Sequence, residues 1–188
     1  MGRWEPDARG RLMQAAFELY HEHGFEQTTV AEIASRAGLT ERTFFRHFAD
    51  KREVLFAGAD ALTDLMVSTV VDAPASLMPI EAAAAGLEAA GALIQEGGEL
   101  PQQRQAIIAA SAELQERELI KLASLASALA DALRARGVVE PAAILAAEAG
   151  IAVFKVAFGR WVQVVDGQEL PAVIRESFDQ MKTVSAGR

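Results

Sequence analysis

Apolar residues recur every three to four positions along most of the chain, which is the spacing of an α-helix. The first apolar face is made of Leu12, Ala15, Ala16, Leu19 and Tyr20, and Gly24 is suited to end that helix. Thr29 and Glu32 have the spacing of a capping box, so a second helix is predicted to begin there and to end at Gly38.

The same spacing predicts the remaining helices at 40–48, about 51–71, 78–96, 101–111, 113–136, 141–165 and 170–184. Prolines stand near the start of several of these segments, where an α-helix does not need the missing amide proton. No segment alternates apolar and polar residues as a β-strand does. The chain is therefore predicted to be all-α, with about nine helices.

The segment TERTFFRHF, residues 40–48, concentrates aromatic and cationic side chains in one short helix. A helical projection places Phe44, Phe45 and Phe48 on one arc, and Arg42, Thr43, Arg46 and His47 on the opposite arc. Two helices joined by a tight AGL turn, the second of them amphipathic, form a helix-turn-helix, whose second helix enters the DNA major groove. An ordinary surface helix with one apolar and one charged side remains the alternative.

The distribution of charge limits where a polyanion could bind. The chain has a net charge of −8, but residues 1–56 carry 8 Lys and Arg against 9 Asp and Glu, whereas residues 57–188 carry 10 against 17. A local cluster of positive charge for nucleic acid is therefore expected in the first part of the chain.

Other classes of function find little support in the sequence. The chain has no cysteine, and His21 and His23 point to different sides of a helix, so we expect no metal site. No nucleophile elbow, phosphate-binding loop or H-E-x-x-H motif is present, so we expect no enzyme, no catalytic residue and no cofactor.

The most apolar segment, 149–165, is interrupted by Lys155 and Arg160, and no signal peptide is seen at the N-terminus. A cytoplasmic protein with no membrane partner is therefore expected.

Residues 25–56 carry a specific series of residue types. The series begins with Gly24 and Phe25. It continues with Thr28–Thr29–Val30, Ile33–Ala34, Ala37–Gly38, Thr43, the aromatic pair 44–45, His47–Phe48, Lys51 and Leu55. In this order they resemble the DNA-binding domain of the TetR family of transcriptional regulators. The resemblance implies an N-terminal three-helix helix-turn-helix DNA-binding domain, residues 1–50, and a C-terminal helical effector-binding and dimerisation domain, residues 51–188.

The resemblance also implies roles for individual residues. Thr29, His47 and Lys51 would contact phosphates, and Glu41, Arg42, Thr43 and Phe45 of the third helix would face bases or backbone. The helical projection adds Arg46 to the DNA-facing residues. The family usually has tyrosine where this chain has Phe45, so this chain has no phenolic hydroxyl there to bind phosphate, although the ring could meet a thymine methyl group. Glu41 could accept a hydrogen bond from cytosine or could only favour the helix dipole. An N-terminal arm with Arg3, Arg9 and Arg11 could enter the minor groove.

The last two predicted helices carry broad apolar stripes. The resemblance implies a homodimer that forms through them, with the candidate residues Phe158, Trp161, Val162, Val165, Ile174, Phe178 and Met181. The alternative is that both stripes close the chain's own core. The resemblance further implies a small-molecule pocket among the middle helices, with the candidate wall residues Leu62, Met66, Leu93, Ile107, Leu122 and Phe154. For each of these residues, a place in the plain hydrophobic core is the favoured alternative.

Together these features predict a repressor that binds a palindromic double-stranded DNA operator as a homodimer and that a small-molecule effector releases. One alternative is a helical protein-interaction module without DNA binding. Another is a ligand-independent regulator or an activator that has the same N-terminal domain.

Overall fold

The computed structural model describes residues 7–163 and 167–186 of the chain. Within these described residues it contains nine α-helices and no β-strand. The helices are α1 (Ala8–His23), α2 (Val30–Arg36), α3 (Glu41–His47), α4 (Ala59–Asp72), α5 (Pro79–Gln95), α6 (Leu100–Ala109), α7 (Ala112–Ala135), α8 (Ala142–Gln163) and α9 (Leu170–Ser185). The predicted all-α architecture is confirmed.

The start of the fourth helix is the one large error in the predicted boundaries, because α4 begins at Ala59 and not near residue 51. Residues 51–58 form successive tight turns, in which the amide of Leu55 bonds to the carbonyl of Arg52 at 3.0 Å. Val54, Leu55 and Phe56 are all buried, and three consecutive residues of an α-helix cannot all face one core. Gly58, at φ +88°, then ends the turns outside the helical region.

The chain packs as two compact units. The first comprises the residues up to Gly58 together with 102–115, and the second comprises 59–101 together with 116 onwards. The predicted division of function between residues 50 and 51 stays a prediction, since it concerns what each part binds.

The core of the first unit is built around α1, α2 and α3. Leu12, Ile33 and Phe44 are fully buried there, and Ile108 and Leu114 from the segment 102–115 belong to the same cluster. The helix-turn-helix is therefore stabilised by residues that lie far along the sequence as well as by its own three helices.

In the second unit α5 packs against α4, α8 and α9. Small residues allow these close contacts: a Cβ added at Gly86 would lie 2.5 Å from Val70 Cγ2, and one added at Gly91 would lie 2.6 Å from Ile174 Cδ1. Leu125, Leu129 and Leu133 of α7 complete the same core. Gly150 of α8 also allows a close contact, because an added Cβ would lie 3.1 Å from Leu87 Cδ1 of α5.

Candidate nucleic-acid interface

The predicted capping box is present at the start of α2. The hydroxyl of Thr29 accepts a hydrogen bond from the amide of Glu32 at 3.3 Å, and the Glu32 carboxylate accepts one from the amide of Thr29 at 2.8 Å. Hydrogen bonds from the backbone and side chain of Thr29 lower the pKa of Glu32. Because the Thr29 hydroxyl also donates to this carboxylate, its predicted phosphate contact would compete with the cap.

The turn between α2 and α3 is fixed by backbone hydrogen bonds. The amide of Gly38 bonds to the carbonyl of Ser35 at 3.0 Å, and the amide of Leu39 bonds to that of Ala34 at 2.8 Å, which is a Schellman motif. Gly38 has φ +67°, so the motif needs glycine at this position. The Arg11 guanidinium also donates to the carbonyl of Ala37. The direction in which α3 leaves this turn is therefore well defined.

Two of the three phenylalanines hold α3 against the core of the first unit. Phe44 and Phe48 are buried, and their ring centroids lie 5.6 Å apart. Phe45 is 55% exposed, so the projection that placed it on the buried arc is wrong. The reason is that Phe45 lies about 100° around the helix from Phe44, whereas Phe48 lies only about 40° away.

The opposite side of α3 presents cations that are not used within the chain. Arg42 and Arg46 are exposed, and neither guanidinium has a hydrogen bond or ion pair with another residue in the described ranges. Glu41 is exposed in the first turn of α3. Thr43 is half-buried, and its hydroxyl lies 3.0 Å from that of Thr40, the N-cap residue. The free guanidinium groups can therefore reach a ligand without breaking an internal contact.

Two of the residues predicted to contact phosphate have polar side-chain atoms that are engaged or buried in this geometry. The Lys51 ammonium donates to the carbonyls of Phe25 at 2.8 Å, Glu26 at 3.3 Å and Thr28 at 2.9 Å, which uses all three of its protons. It also lies 4.3 Å from the centroid of the Phe25 ring. The Nε2 atom of His47 is buried and lacks a hydrogen-bond partner among the described residues, so a phosphate contact would have to use the other ring nitrogen.

The Tyr20 side chain also contacts Lys51. The Tyr20 hydroxyl donates to the carbonyl of Lys51 at 2.6 Å, and burial raises the pKa of Tyr20. Lys51 and Tyr20 thus tie the segment after α3 to the end of α1 and the loop that follows. Lys51 is a structural residue of this domain in the present geometry.

Other cations of the first unit are also engaged. Arg36 pairs with Glu18 and Glu22, and its hydrogen bond lowers the pKa of Glu22. Arg52 pairs with Asp50 at 2.5 Å and with Glu113 at 2.7 Å, and its hydrogen bond lowers the pKa of Asp50.

The arginines of the N-terminal arm differ in what they contact. Arg9 is exposed and lies 5.4 Å from the centroid of the Phe48 ring, and Arg11 is engaged at the turn. Arg3 is outside the described residues. Within the described part of the first unit, Arg9, Arg42 and Arg46 are the exposed arginines without a carboxylate or carbonyl partner.

The six residues predicted to line an effector pocket do not form one site. Met66 and Phe154 are buried in the core of the second unit, and Leu62 and Leu122 pack against it, while Leu93 is half-buried on α5. Ile107 packs instead against the core of the first unit, because residues 102–115 belong to that unit.

The structure has two clefts of note within the described residues. One, of about 490 Å³, is lined by Ile107 together with residues of α1, α6 and the segments that follow them; the other, of about 260 Å³, is lined by residues 71–79 and 136–138. Neither is lined by the other five candidate pocket residues. These six residues therefore do not locate the proposed effector site in either cleft.

Most of the residues predicted to form the dimer interface pack in or against the core of the second unit. Trp161, Ile174 and Phe178 are buried in the core of the second unit, which is the alternative left open for these stripes. Phe158, Val162 and Met181 are half-buried against the same core, and Val165 lies outside the described residues.

A different face of α8 carries exposed apolar side chains. Leu145 is 65% exposed and Val156 is 59% exposed, and Ala152, also exposed, lies between them at helical spacing. By length and composition alone α8 could cross a membrane, but 44% of its most apolar window is buried within the protein. No group of three His, Asp or Glu side chains in the described part of the chain is arranged to hold a metal ion.

Comparison with known proteins finds a family match within the first unit. The sequence model of the family described as "Bacterial regulatory proteins, tetR family" matches residues 12–57, which include most of α1 and all of α2 and α3. Residues 12–57, called the TetR-family domain below, are therefore similar to this family. The TetR-family domain thus coincides with the part of the chain that carries the free guanidinium groups of α3.

Relatives of the TetR-family domain are named as transcriptional regulators. TcmR from Streptomyces glaucescens is an HTH-type transcriptional regulator, 34% identical over 89 residues, which are 47% of this chain and 39% of TcmR. FasR from Mycolicibacterium smegmatis is an HTH-type transcriptional activator, 34% identical over 64 residues, which are 34% of this chain and 29% of FasR. The chain therefore spans less than half the length of these relatives.

A structural likeness extends beyond the TetR-family domain. The SmeT–triclosan complex aligns over 94% of this chain and 90% of SmeT, with a TM-score of 0.67 and 21% identity. SmeT is the repressor of the Stenotrophomonas maltophilia multidrug efflux pump SmeDEF. At this identity the likeness shows the fold, and it covers the second unit as well as the first.

Proposed function

We propose that the chain is a DNA-binding transcriptional regulator that works in the cytoplasm and uses α3 to read the major groove. One observation carries this proposal: Arg42 and Arg46 are exposed and unpaired in the described structure, on a helix that Phe44 and Phe48 anchor from the other side. A guanidinium group can bind guanine through two parallel hydrogen bonds, and it can also bind phosphate. Both guanidinium groups lie on the side of α3 away from Phe44 and Phe48, so both are accessible to DNA.

The regulator is proposed to bind as a homodimer. A two-fold dimer would present two α3 helices to successive major grooves about 34–36 Å apart, on a palindromic operator. The exposed apolar face of α8, with Leu145, Ala152 and Val156, is the surface we propose for this contact. Trp161, Ile174 and Phe178 would support that surface from the core.

Control by a small molecule is the third part of the proposal. The similar fold of SmeT has been solved in complex with triclosan, which supports a small-molecule site in this chain. We propose a repressor that an effector releases, because a ligand that binds the DNA-free conformation better shifts the population away from the operator. FasR is named an activator, so a reporter gene under the selected operator tests the sign of regulation.

The first experiment is binding of the purified full chain to random genomic DNA fragments at low salt, followed by recovery of the fragments that shift. With a recovered operator, Arg42→Ala is expected to cost about 1–3 kcal/mol and to relax the preference for one base. Arg134→Ala is the matched control, because Arg134 lies on α7 of the second unit and pairs with Asp131. A wild-type protein that shifts no fragment at low salt would instead support the protein-interaction alternative.

A further inference from the structure

The cleft between the C-terminal end of α1 and α6 has the size of a small-molecule site, and we call it the α1–α6 cleft. Its volume of about 490 Å³ falls within the usual range of such sites, which is roughly 300–1,000 Å³. Its lining residues come from 17–26 and 103–111, and both segments belong to the first unit. The candidate pocket residues Met66 and Phe154 lie instead in the core of the second unit, so they are not part of this cleft.

Aromatic side chains form much of the wall of the α1–α6 cleft. Phe17, Tyr20 and Phe25 line it and are buried, and the ring centroids of Tyr20 and Phe25 lie 5.4 Å apart at an edge-to-face angle. The Tyr20 hydroxyl donates to the carbonyl of Lys51 at 2.6 Å, so its proton is not available to a ligand. Walls of this kind favour a ligand with an aromatic or other flat apolar body.

One carboxylate, that of Glu26, lies at the solvent-exposed edge of this aromatic cleft. Its Oε1 atom accepts a hydrogen bond from the Ser111 hydroxyl at 3.3 Å, which joins the loop after α1 to the end of the segment 103–111. Its Oε2 atom has no hydrogen-bond partner among the described residues. The bond to Ser111 therefore orients the carboxylate, and one oxygen stays available to a donor on a ligand.

The charge of the lining determines which ligand charge is favoured. Among the described residues that line the cleft, Glu26 is the one carboxylate, and no lysine or arginine is present. With His21 and His23 neutral the lining is negatively charged, so a ligand ammonium group is attracted to it and a ligand carboxylate is repelled. The Lys51 ammonium lies 4.3 Å from the centroid of the Phe25 ring, but it does not line the cleft and is bound by three backbone carbonyls.

We propose that the α1–α6 cleft binds an organic cation, with its flat apolar body against the aromatic wall and its ammonium group paired with Glu26. This inference goes beyond the proposed function, because it assigns a ligand site to the first unit and because the binding requires no DNA. Burial of the apolar body supplies most of the affinity. A solvent-exposed ion pair adds at most about fivefold.

The test uses three probes that share a naphthyl ring and differ in the terminal group: naphthylethylamine, naphthylethanol and naphthylacetate. Each is titrated into the full chain without DNA, and the dissociation constant and the position of the site are read from amide chemical shifts by NMR. Wild type is expected to bind the amine about fivefold more tightly than the alcohol and to bind the carboxylate most weakly, with shifts at Gly24 and Ser111. Glu26→Gln is expected to bind the amine and the alcohol equally.

A second variant tests the position of the site and not its charge. Ala106 is exposed and lines the cleft, so Ala106→Trp fills the space without a change in the core, and it is expected to abolish binding of all three probes. Ala123→Trp is the matched control, because Ala123 is exposed on α7 in the second unit and lines neither cleft. It is expected to bind the probes as wild type does. Glu26→Gln decides the test if Ala106→Trp does not fold.

Three outcomes would overturn the proposal. Tightest binding of naphthylacetate would show that His21 and His23 hold an anion there. Unchanged amine binding in both Glu26→Gln and Ala106→Trp would place the ligand outside this cleft. No binding of any probe at millimolar concentration would show that the cleft does not take this class of ligand. Operator binding is measured separately on the same samples, so each of these results leaves the proposed DNA-binding function intact.

Discussion

At the scale of single residues, cations that look alike in the sequence have different roles in the structure. Lys51 and Arg46 stand five positions apart, and both were expected to face DNA. The Lys51 ammonium instead bonds to three carbonyls of residues 25–28, while the Arg46 guanidinium is exposed and has no partner in the described ranges. Those carbonyls lie more than twenty residues away in sequence, so only the tertiary fold shows that Lys51 is engaged.

A matched pair of substitutions tests this difference. Lys51→Met keeps the length of the side chain and removes its hydrogen bonds, so it is expected to lower the free energy of unfolding by about 1–3 kcal/mol. That corresponds to a fall of several degrees in Tm. Arg46→Met is expected to leave Tm unchanged and to reduce the salt slope of operator binding by about one for each phosphate that the guanidinium no longer neutralises.

The two readouts are thermal unfolding followed by circular dichroism and operator affinity measured across a range of salt concentrations well below Tm. Equal Tm values for Lys51→Met and wild type, with a flatter salt slope for Lys51→Met, would show that Lys51 contacts phosphate and does not stabilise the domain.

At the scale of helices, α5 depends on the absence of side chains where its neighbours approach. A methyl group at Gly86 would lie 2.5 Å from Val70 Cγ2 and 2.9 Å from the carbonyl oxygen of Met66 on α4. The backbone oxygen cannot move without shifting α4. Glycine disfavours a helix by about 1 kcal/mol relative to alanine, so close packing must outweigh that preference here.

Gly86→Ala is therefore expected to destabilise the protein by about 1–3 kcal/mol, although alanine is the better helix former. Ala89→Gly, on the same helix and half-buried, is the control and is expected to cost about 1 kcal/mol through helix preference alone. Both are measured by urea unfolding. A stability gain in Gly86→Ala that mirrors the loss in Ala89→Gly would show that α4 is not packed this closely.

How far the sequence predicts these elements depends on whether the signal is local. The capping box at Thr29 and the glycine at the α2–α3 turn act over a few residues, so the helices and the turn between them could be predicted. The start of α4 could not, because it is decided by the burial of Val54, Leu55 and Phe56 together. The position of Ile107 could not either, since periodicity does not show which core a helix joins.

At the scale of the whole molecule, the remaining question is which apolar surface is left for a second copy. The single apolar stripe of α9, which includes Ile174 and Phe178, closes the core of the second unit. The α8 helix has apolar residues on two sides, and the side with Leu145 and Val156 is exposed. Both stripes are apolar in the sequence, so periodicity alone does not say which of them is buried. The outer side of α8 is exposed, and it is the surface proposed for a second copy.

Val156→Asp tests this surface because it places a carboxylate where the proposed partner would pack. Wild type is expected to sediment as a dimer at micromolar concentration and Val156→Asp as a monomer with weaker operator binding, since a buried unpaired charge costs several kcal/mol. Val139→Asp is the matched control, as Val139 is 74% exposed in the segment between α7 and α8, and this variant should remain a dimer. Phe178→Asp is unsuitable, because Phe178 is buried and the change would disrupt the core. A monomeric wild type, or a dimeric Val156→Asp, would show that the second copy does not bind this face of α8.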